Sequence, residues 1–222
     1  MLRIQHSLPR PIKQLIRNIM KLIKYRVRYW IVRKAAKGDK PLKIILGAAE
    51  THQQGWYSTN QQWLDITKQT DWEKIFPKKE VISHVVAEHV FEHLTMSQTK
   101  KALGLIFQYL EPQGRIRIAV PDGFHPDPEY LKHVGINGIG ADAQDHKQLL
   151  NMTALSTLLS EAGFQVSVVE GYTQNGKLIN SGASAHNGFI LRSRSNPVKI
   201  NAEGWDFVDA QTSLIIDGIR SI

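Results

Sequence analysis

Val81-Ile82-Ser83-His84-Val85-Val86-Ala87-Glu88-His89-Val90-Phe91-Glu92-His93-Leu94 is the stretch on which the reading of this 222-residue chain turns. Its first half, Val81–Ala87, is rich in β-branched and apolar residues and predicts a buried strand. Its second half crowds Glu88, His89, Glu92 and His93 at the strand's end. Taken alone, His89-Val90-Phe91-Glu92-His93 is an H-x-x-E-H pattern, in which two histidines one helical turn apart can hold zinc. Two such histidines are half a site, because zinc also needs a third protein ligand and hydrolysis needs a general base in a pocket. A zinc hydrolase is therefore a remote alternative, and no metal ligands are expected.

Working outward, Leu42–Leu46 is a nearly continuous apolar run closed by Gly47, as expected of a first parallel strand buried on both faces. Downstream, Gly114 precedes a predicted strand Arg115–Val120 that ends in Pro121-Asp122. Further strands are expected at Trp56–Thr59, Trp63–Ile66, Gln165–Glu170 and Gly188–Arg192, with Ser213–Gly218 as a final strand or packing segment. Helices are expected at Ser97–Leu110, with Ser97 as N-cap, and at Leu149–Ala162, stopped by Gly163. Asn175 with Gly176 signals a hairpin. The alternation argues for a three-layer α/β fold with a mostly parallel sheet. Only eight residues separate Gly47 from Trp56. That is too few for a crossover helix, so the first connection should be a loop or single turn.

A content of 42% hydrophobic and 22% charged residues is ordinary for a globular chain with one main domain. The absence of cysteine excludes disulfides and thiolate zinc sites, and a reducing cytoplasm is the simplest location. No run approaches the roughly 18 uninterrupted apolar residues of a membrane span. The net charge of +8 is uneven: residues 1–40 carry twelve Lys/Arg and one acid, so the remainder is slightly negative. Behind Pro9 and Pro11, apolar residues recur at helical spacing from Ile12 to Ile31, interleaved with Lys13, Arg17, Lys21, Lys24 and Arg28. Residues 9–36 thus predict a basic amphipathic helix. It would pack on the body or on a second copy as a homodimer, or lie on an anionic membrane with Tyr29 and Trp30 as interfacial anchors.

The ordered series Leu46-Gly47-Ala48-Ala49, Gly55-Trp56, Glu88-His89…Glu92-His93-Leu94, Pro112-Gln113-Gly114 and Pro121-Asp122 resembles the class I S-adenosylmethionine-dependent methyltransferases of the type 11-like subgroup. The resemblance spans about residues 42–195. It implies a Rossmann-like methyltransferase fold over residues 41–222 with a helical extension over 1–40, and S-adenosylmethionine as cofactor. The reaction implied is methyl transfer to an oxygen or nitrogen of a small-molecule, saccharide or lipid-linked acceptor. Nucleic acid is disfavoured, because its phosphates would call for a basic body.

Ligands of open α/β sheets lie beyond the carboxyl ends of the strands. The resemblance accordingly places Gly47 and Ala49 against the methionine part of the cofactor, Asn60 at the ribose and Asp65 at the adenine amino group. It puts Glu88 and His89 beside the sulfonium, with His89 able to accept a proton. Asp122, His125, Asp145 and His146 are expected to contact or deprotonate the acceptor, beneath a glycine-rich lid at Gly135–Gly140. Glu92 and His93 are expected to anchor the following helical turn. Two positions depart from the family pattern: the glycine loop reads Gly47-Ala48-Ala49, and Asn60 stands where an acid is usual. These departures motivate a second reading, a binding or scaffold protein on a methyltransferase fold that has lost catalysis.

Overall fold

In the computed structural model, which describes residues 9–49, 51–196 and 211–221, seven strands form one sheet in the order β2-β1-β3-β4-β7-β5-β6. They are β1 (Leu42–Leu46), β2 (Tyr57–Ser58), β3 (Ile82–Glu88), β4 (Leu110–Pro121), β5 (Phe164–Tyr172), β6 (Leu178–Asn180) and β7 (Ser213–Arg220). The pairs β2/β1, β1/β3 and β3/β4 are parallel, whereas β7 runs antiparallel between β4 and β5, and β6 closes a hairpin on β5. Parallel neighbours need crossovers. Helices α2 (Gln69–Ile75) and α3 (Met96–Tyr109) supply them, while α4 (Pro128–Val134) and α5 (Met152–Glu161) fill the connection from β4 to β5, and α1 (Arg10–Ala35) precedes the sheet. As the eight-residue spacing requires, the β1–β2 connection holds no helix among the described residues. This is the Rossmann-like, mostly parallel fold with an N-terminal helix that the sequence implied.

Three local expectations change. Trp63–Ile66 is not a strand: Trp63 and Leu64 donate their N–H groups back to the Asn60 carbonyl, so this stretch is a turn. Gly188–Arg192 is a loop, because the N–H groups of Leu191 and Arg192 go to the Glu88 carboxylate rather than to a neighbouring strand. Helix α3 is capped by Thr95, not Ser97. Thr95 Oγ1 accepts from the Gln98 N–H, and Gln98 Oε1 accepts from the Thr95 N–H, a reciprocal capping box that satisfies two otherwise orphaned donors.

Side chains alternate across the sheet. Ile44, Leu46, Val85, Ala87, Ile118 and Leu214 point into the main core with α1, α2, α3 and α5. Their neighbours Ile45, Val86, Ala119 and Ile215 meet Trp56 and Ile190 on the opposite face, where residues 181–196 supply the third layer. That segment is held by charge. Buried Arg117 donates from Nε and Nη2 to Asp217 at 2.8 and 2.9 Å, and from Nη1 to the carbonyls of Ser184 and Gly188 at 2.7 and 2.8 Å. A Cβ on Gly188 would lie 2.0 Å from Val86 Cγ2, so only glycine lets this loop lie so close to the sheet.

Helix α1 does not bury its apolar stripe. Tyr25, Val32 and the cap residue Ala36 face the body, and Tyr29 meets Trp63 edge-on at 5.7 Å. Ile12, Leu15, Ile16, Ile19, Leu22, Ile23, Val27, Trp30 and Ile31 are 37–58% exposed. Tyr29, expected as an interfacial anchor, is therefore on the packed face, because its ring pairs with Trp63. Among the described residues, no helix is long and apolar enough to cross a membrane.

Asp217 also accepts from Arg115 Nη1 at 3.0 Å, so losing Arg117 removes its hydrogen bonds without leaving the carboxylate unpaired. Bonds to charged groups contribute about 1.5–3 kcal/mol, and Arg117→Met should lower unfolding free energy by about that amount in urea titrations. A change below about 1 kcal/mol would show that this pair does not hold the sheet to the 181–196 layer.

Candidate active site

Beyond the carboxyl ends of β1 and β3 lies a cleft of about 430 Å³. Its walls are Gly47 and Ala49 after β1, residues from Asn60 to Thr67 after β2, and His89, Val90, His93 and Leu94 after β3. Tyr25 of α1, Gln98, Asp145 and Lys147 complete it. Gly47 has φ +57°, and a Cβ there would sit 2.7 Å from Val90 Cγ2. Glycine is thus required both by the backbone and by the close approach of the β3 loop. Ala49 also adopts a positive φ, +43°. Its carbonyl accepts from Arg28 Nη1 at 3.0 Å, so α1 holds the strained loop in place.

Asn60 is buried, and its Oδ1 accepts from the Gln62 N–H at 3.0 Å. A backbone N–H needs an acceptor, which fixes the amide orientation and leaves Nδ2 facing no hydrogen-bond partner among the described residues. Asn60 thus lines the cleft with an amide whose oxygen ties down the following turn and whose buried nitrogen is left without a partner among the described residues. Asp65 closes a turn onto Thr67, accepting from its N–H and hydroxyl at 3.0 and 2.7 Å, with Lys68 Nζ 3.1 Å from the other oxygen. Burial alone would raise its pKa, but the Thr67 bonds and Lys68 outweigh this and hold it below the usual carboxylate range. It is a turn aspartate that also lines the cleft.

At the end of β3 the chain divides its polar groups between two cavities. Both oxygens of Glu88 accept backbone N–H groups, from Arg192 at 2.8 Å and Leu191 at 3.0 Å, within a smaller cavity of about 190 Å³. Glu88 thereby fixes a wall of the smaller cavity and does not line the larger cleft. His89 follows with φ +52° and lines both cavities. Its Nδ1 lies 2.9 Å from Glu92 Oε1 and its Nε2 3.3 Å from Ser213 Oγ. Burial pushes the wholly buried Glu92 upward, but the charge and hydrogen bond of His89, its own backbone and His93 prevail and lower its pKa.

Of the expected acceptor residues, His146 is brought near the cleft and Asp145 lines it. His146 is buried edge-on to His93 at 4.9 Å, and Asp145 Oδ2 lies 3.4 Å from His93 Nδ1. Asp122 and His125 lie outside the cleft lining. Asp122 is fully buried, and its oxygens accept from the Phe124 and Tyr172 N–H groups at 3.0 and 2.7 Å. Burial raises its pKa despite these bonds and Arg194. His125 accepts from the Asp127 N–H and stacks near Tyr130 and Tyr172. Burial, aided by Arg194, lowers its pKa. Both residues order the β4–α4 corner. The glycine-rich segment expected as a lid folds back on α4, with Ile139 and Gly140 donating to the carbonyls of Lys132 and His133. Sequence reasoning missed Tyr25 and Arg28, because the docking of α1 over the first loop is a tertiary contact that no local motif announces.

The sequence profile of the family described as "Methyltransferase domain" matches residues 35–168. The chain belongs to that family. It is a class I methyltransferase, an enzyme whose methyl donor is S-adenosylmethionine. No curated protein matches the chain. Solved structures with a similar chain path include a SAM-dependent methyltransferase of Archaeoglobus fulgidus (14% identity, TM-score 0.47, covering 90% of this chain and 94% of that one). Another is a SAM-dependent methyltransferase of Thermotoga maritima (13% identity, TM-score 0.46, covering 93% and 96%). A third is the 1,6-didemethyltoxoflavin-N1-methyltransferase of Burkholderia thailandensis (12% identity, TM-score 0.42, covering 89% and 78%).

Gly47→Ala should cost about 1–2 kcal/mol from its left-handed backbone alone, with a further loss from displacing Val90. Thermal melts of Gly47→Ala and of Gly47→Ala/Val90→Ala separate the two parts. The second change should recover the steric part only; full recovery would show that the backbone conformation at Gly47 is not strained by a side chain.

Proposed function

We propose that the cleft running from Gly47 to Asp65 holds S-adenosylmethionine, and that the acceptor is an oxygen or nitrogen of a small-molecule, saccharide or lipid-linked compound. Asn60 carries this reading. A buried amide donor without a partner costs about 1–3 kcal/mol, which a ribose hydroxyl accepting from Nδ2 would offset. The missing side chain at Gly47 leaves backbone accessible to the amino-acid end, and the ionised Asp65 suits the adenine amino group. When bound, the cofactor supplies a methyl group on a cationic sulfur, open to in-line displacement by an aligned nucleophile. The chain's part is alignment and proton removal. Glu92 beside Nδ1 favours the Nδ1–H tautomer of His89, so Nε2 is the atom that can take a proton from the acceptor. Glu92 and Ser213 position this imidazole from either side. The exposed rim position of Ala49 leaves the cleft open, which favours an active enzyme over a scaffold.

Calorimetric titration of the full chain with S-adenosylmethionine and S-adenosylhomocysteine tests this. Binding should weaken about five- to tenfold in Asn60→Ala and change little in Glu88→Gln. Absence of binding to the wild-type chain would transfer the reading to the non-catalytic scaffold.

Helix α1 supports a location for the acceptor. Its exposed apolar stripe, with Trp30 near one end, lies between basic residues in a segment of strong positive charge. That combination complements an anionic lipid surface, each basic residue contributing about 1 kcal/mol near the bilayer. A membrane-borne acceptor would then be delivered beside Tyr25 and Arg28, where the same helix meets the cleft. The wild-type chain should sediment with phosphatidylglycerol-containing vesicles, less so at high salt, and not with phosphatidylcholine alone. Ile19→Glu/Ile23→Glu, both on the exposed stripe, should stay in the supernatant. Equal partitioning of the two proteins, or a vesicle-independent dimer lost in the variant, would contradict the lipid surface.

A further inference from the structure

Behind the cleft wall at His93, three groups from two segments converge. Glu92, His93 and His146 each bring one ligand-type atom within 4.8 Å of the others. Glu92 is 1% exposed, and although His89 approaches Oε1, its Oε2 has no hydrogen-bond partner among the described residues. A buried carboxylate oxygen in that condition is costly unless a cation or donor completes it.

His146 is oriented by the backbone. Its Nδ1 lies 2.7 Å from the Val134 carbonyl oxygen. A carbonyl only accepts, so Nδ1 carries the hydrogen and Nε2 keeps the lone pair. This is the arrangement by which ligating histidines are held, the second ring nitrogen tied to a carbonyl so that tautomer and ring direction are fixed. The two segments are also stitched together. The Glu92 carbonyl accepts from the Lys147 N–H at 2.8 Å, and Gln148 Nε2 donates to the Phe91 carbonyl at 2.9 Å and to Thr99 Oγ1 at 2.7 Å. Ligand sites built on such braced backbone hold their geometry.

We propose that Glu92, His93 and His146 form a binding site for a divalent transition-metal ion of the zinc type, with an open coordination position turned toward the cleft. Two imidazoles and one carboxylate are the three-ligand set of open zinc sites, and imidazole nitrogen favours zinc, copper, iron or nickel over magnesium, calcium and manganese. Tetrahedral bonds of about 2.0–2.1 Å place neighbouring ligand atoms about 3.4 Å apart. The three atoms lie within 4.8 Å of one another, and His93, whose side chain is 30% exposed and lines the cleft, is the least enclosed of the three groups and the one to close that distance. Asp145, 3.4 Å from His93 Nδ1, either steadies that ring or supplies a fourth oxygen. Resting on the methyltransferase reading, the open position would take an oxygen of the acceptor. The site differs from the H-x-x-E-H reading of the sequence: His89 is outside the convergent set, and the third ligand comes from 53 residues beyond His93.

The test uses the full chain stripped with chelator and titrated with Zn²⁺ by calorimetry and with Co²⁺ by visible absorption. Wild type should bind about one ion per chain, and Co²⁺ should show the intense bands of a four- or five-coordinate site. Glu92→Gln and His146→Gln should each weaken binding at least about a hundredfold. His186→Ala, which removes an exposed histidine beside His84 on the opposite face, should not. Absence of stoichiometric binding, a weak octahedral cobalt spectrum, unchanged affinity in the two ligand variants, or loss in His186→Ala would each overturn the proposal. The wild-type cobalt spectrum decides the matter even where a buried variant fails to fold. Titration of the same stripped wild-type chain with S-adenosylhomocysteine reads the cofactor cleft separately, so cofactor binding without metal binding sinks this inference alone.

Discussion

A guanidinium buried in the middle of a sheet must be paired, and the pairing of Arg117 organises one side of this molecule. Arg117 sits on β4, its partner Asp217 on the antiparallel β7, and its remaining donors reach Ser184 and Gly188. Three chain segments distant in sequence are fixed by one side chain. Glu170 repeats the device at the neighbouring strand, accepting from Ser193 Oγ and from the Arg194 N–H, each at 2.7 Å. Glu88 repeats it again with Leu191 and Arg192. The 181–196 layer is therefore attached chiefly by hydrogen bonds to charged groups, individually stronger than neutral ones, over a small apolar cluster.

That attachment has a consequence for the chemistry. With Glu88 committed to the 181–196 layer, the next residue, His89, takes a left-handed turn and carries its imidazole between Glu92 and Ser213. The functional face is thus built by a sharp partition at the end of β3: one carboxylate secures the back wall and the following histidine faces the cleft. On the other side, Arg28 from α1 holds the Ala49 carbonyl and Tyr25 lines the cleft. The helix that presents an apolar stripe outward is the same one that braces the loop expected to meet the methionine end of the cofactor.

Much of the fold was legible in the sequence because its signals are local. The apolar run Leu42–Leu46, the β-branched run before Glu88 and the short span from Gly47 to Trp56 each dictate their element with little help from elsewhere. The capping of α3 was legible too, in the Thr95-x-x-Gln98 pattern, although Ser97 was the more conspicuous candidate. Gly188–Arg192 was misread because a strand-like apolar pattern there is overridden by carboxylates that take its backbone N–H groups. The site was only half legible. Gly47, Ala49, Asn60, Asp65 and His89 gather around one cleft, since all follow strand ends. Asp122 and His125 do not join them, because adjacency to a strand end does not say which way a side chain turns. Nor could spacing show that Asn60 turns its acceptor inward to Gln62, or that His146 returns to within reach of Glu92.

The Gly47–Asp65 cleft, completed by Asn60, is the proposed cofactor site on which the rest of the chemistry depends. A crystal structure of the full chain with S-adenosylhomocysteine should show the ligand in this cleft, with Asn60 Nδ2 donating to a ribose hydroxyl and Gly47 against the amino-acid end. Ligand seated instead in the smaller cavity beside Glu88 and Arg192, or a cleft left empty with Asn60 turned away, would contradict it.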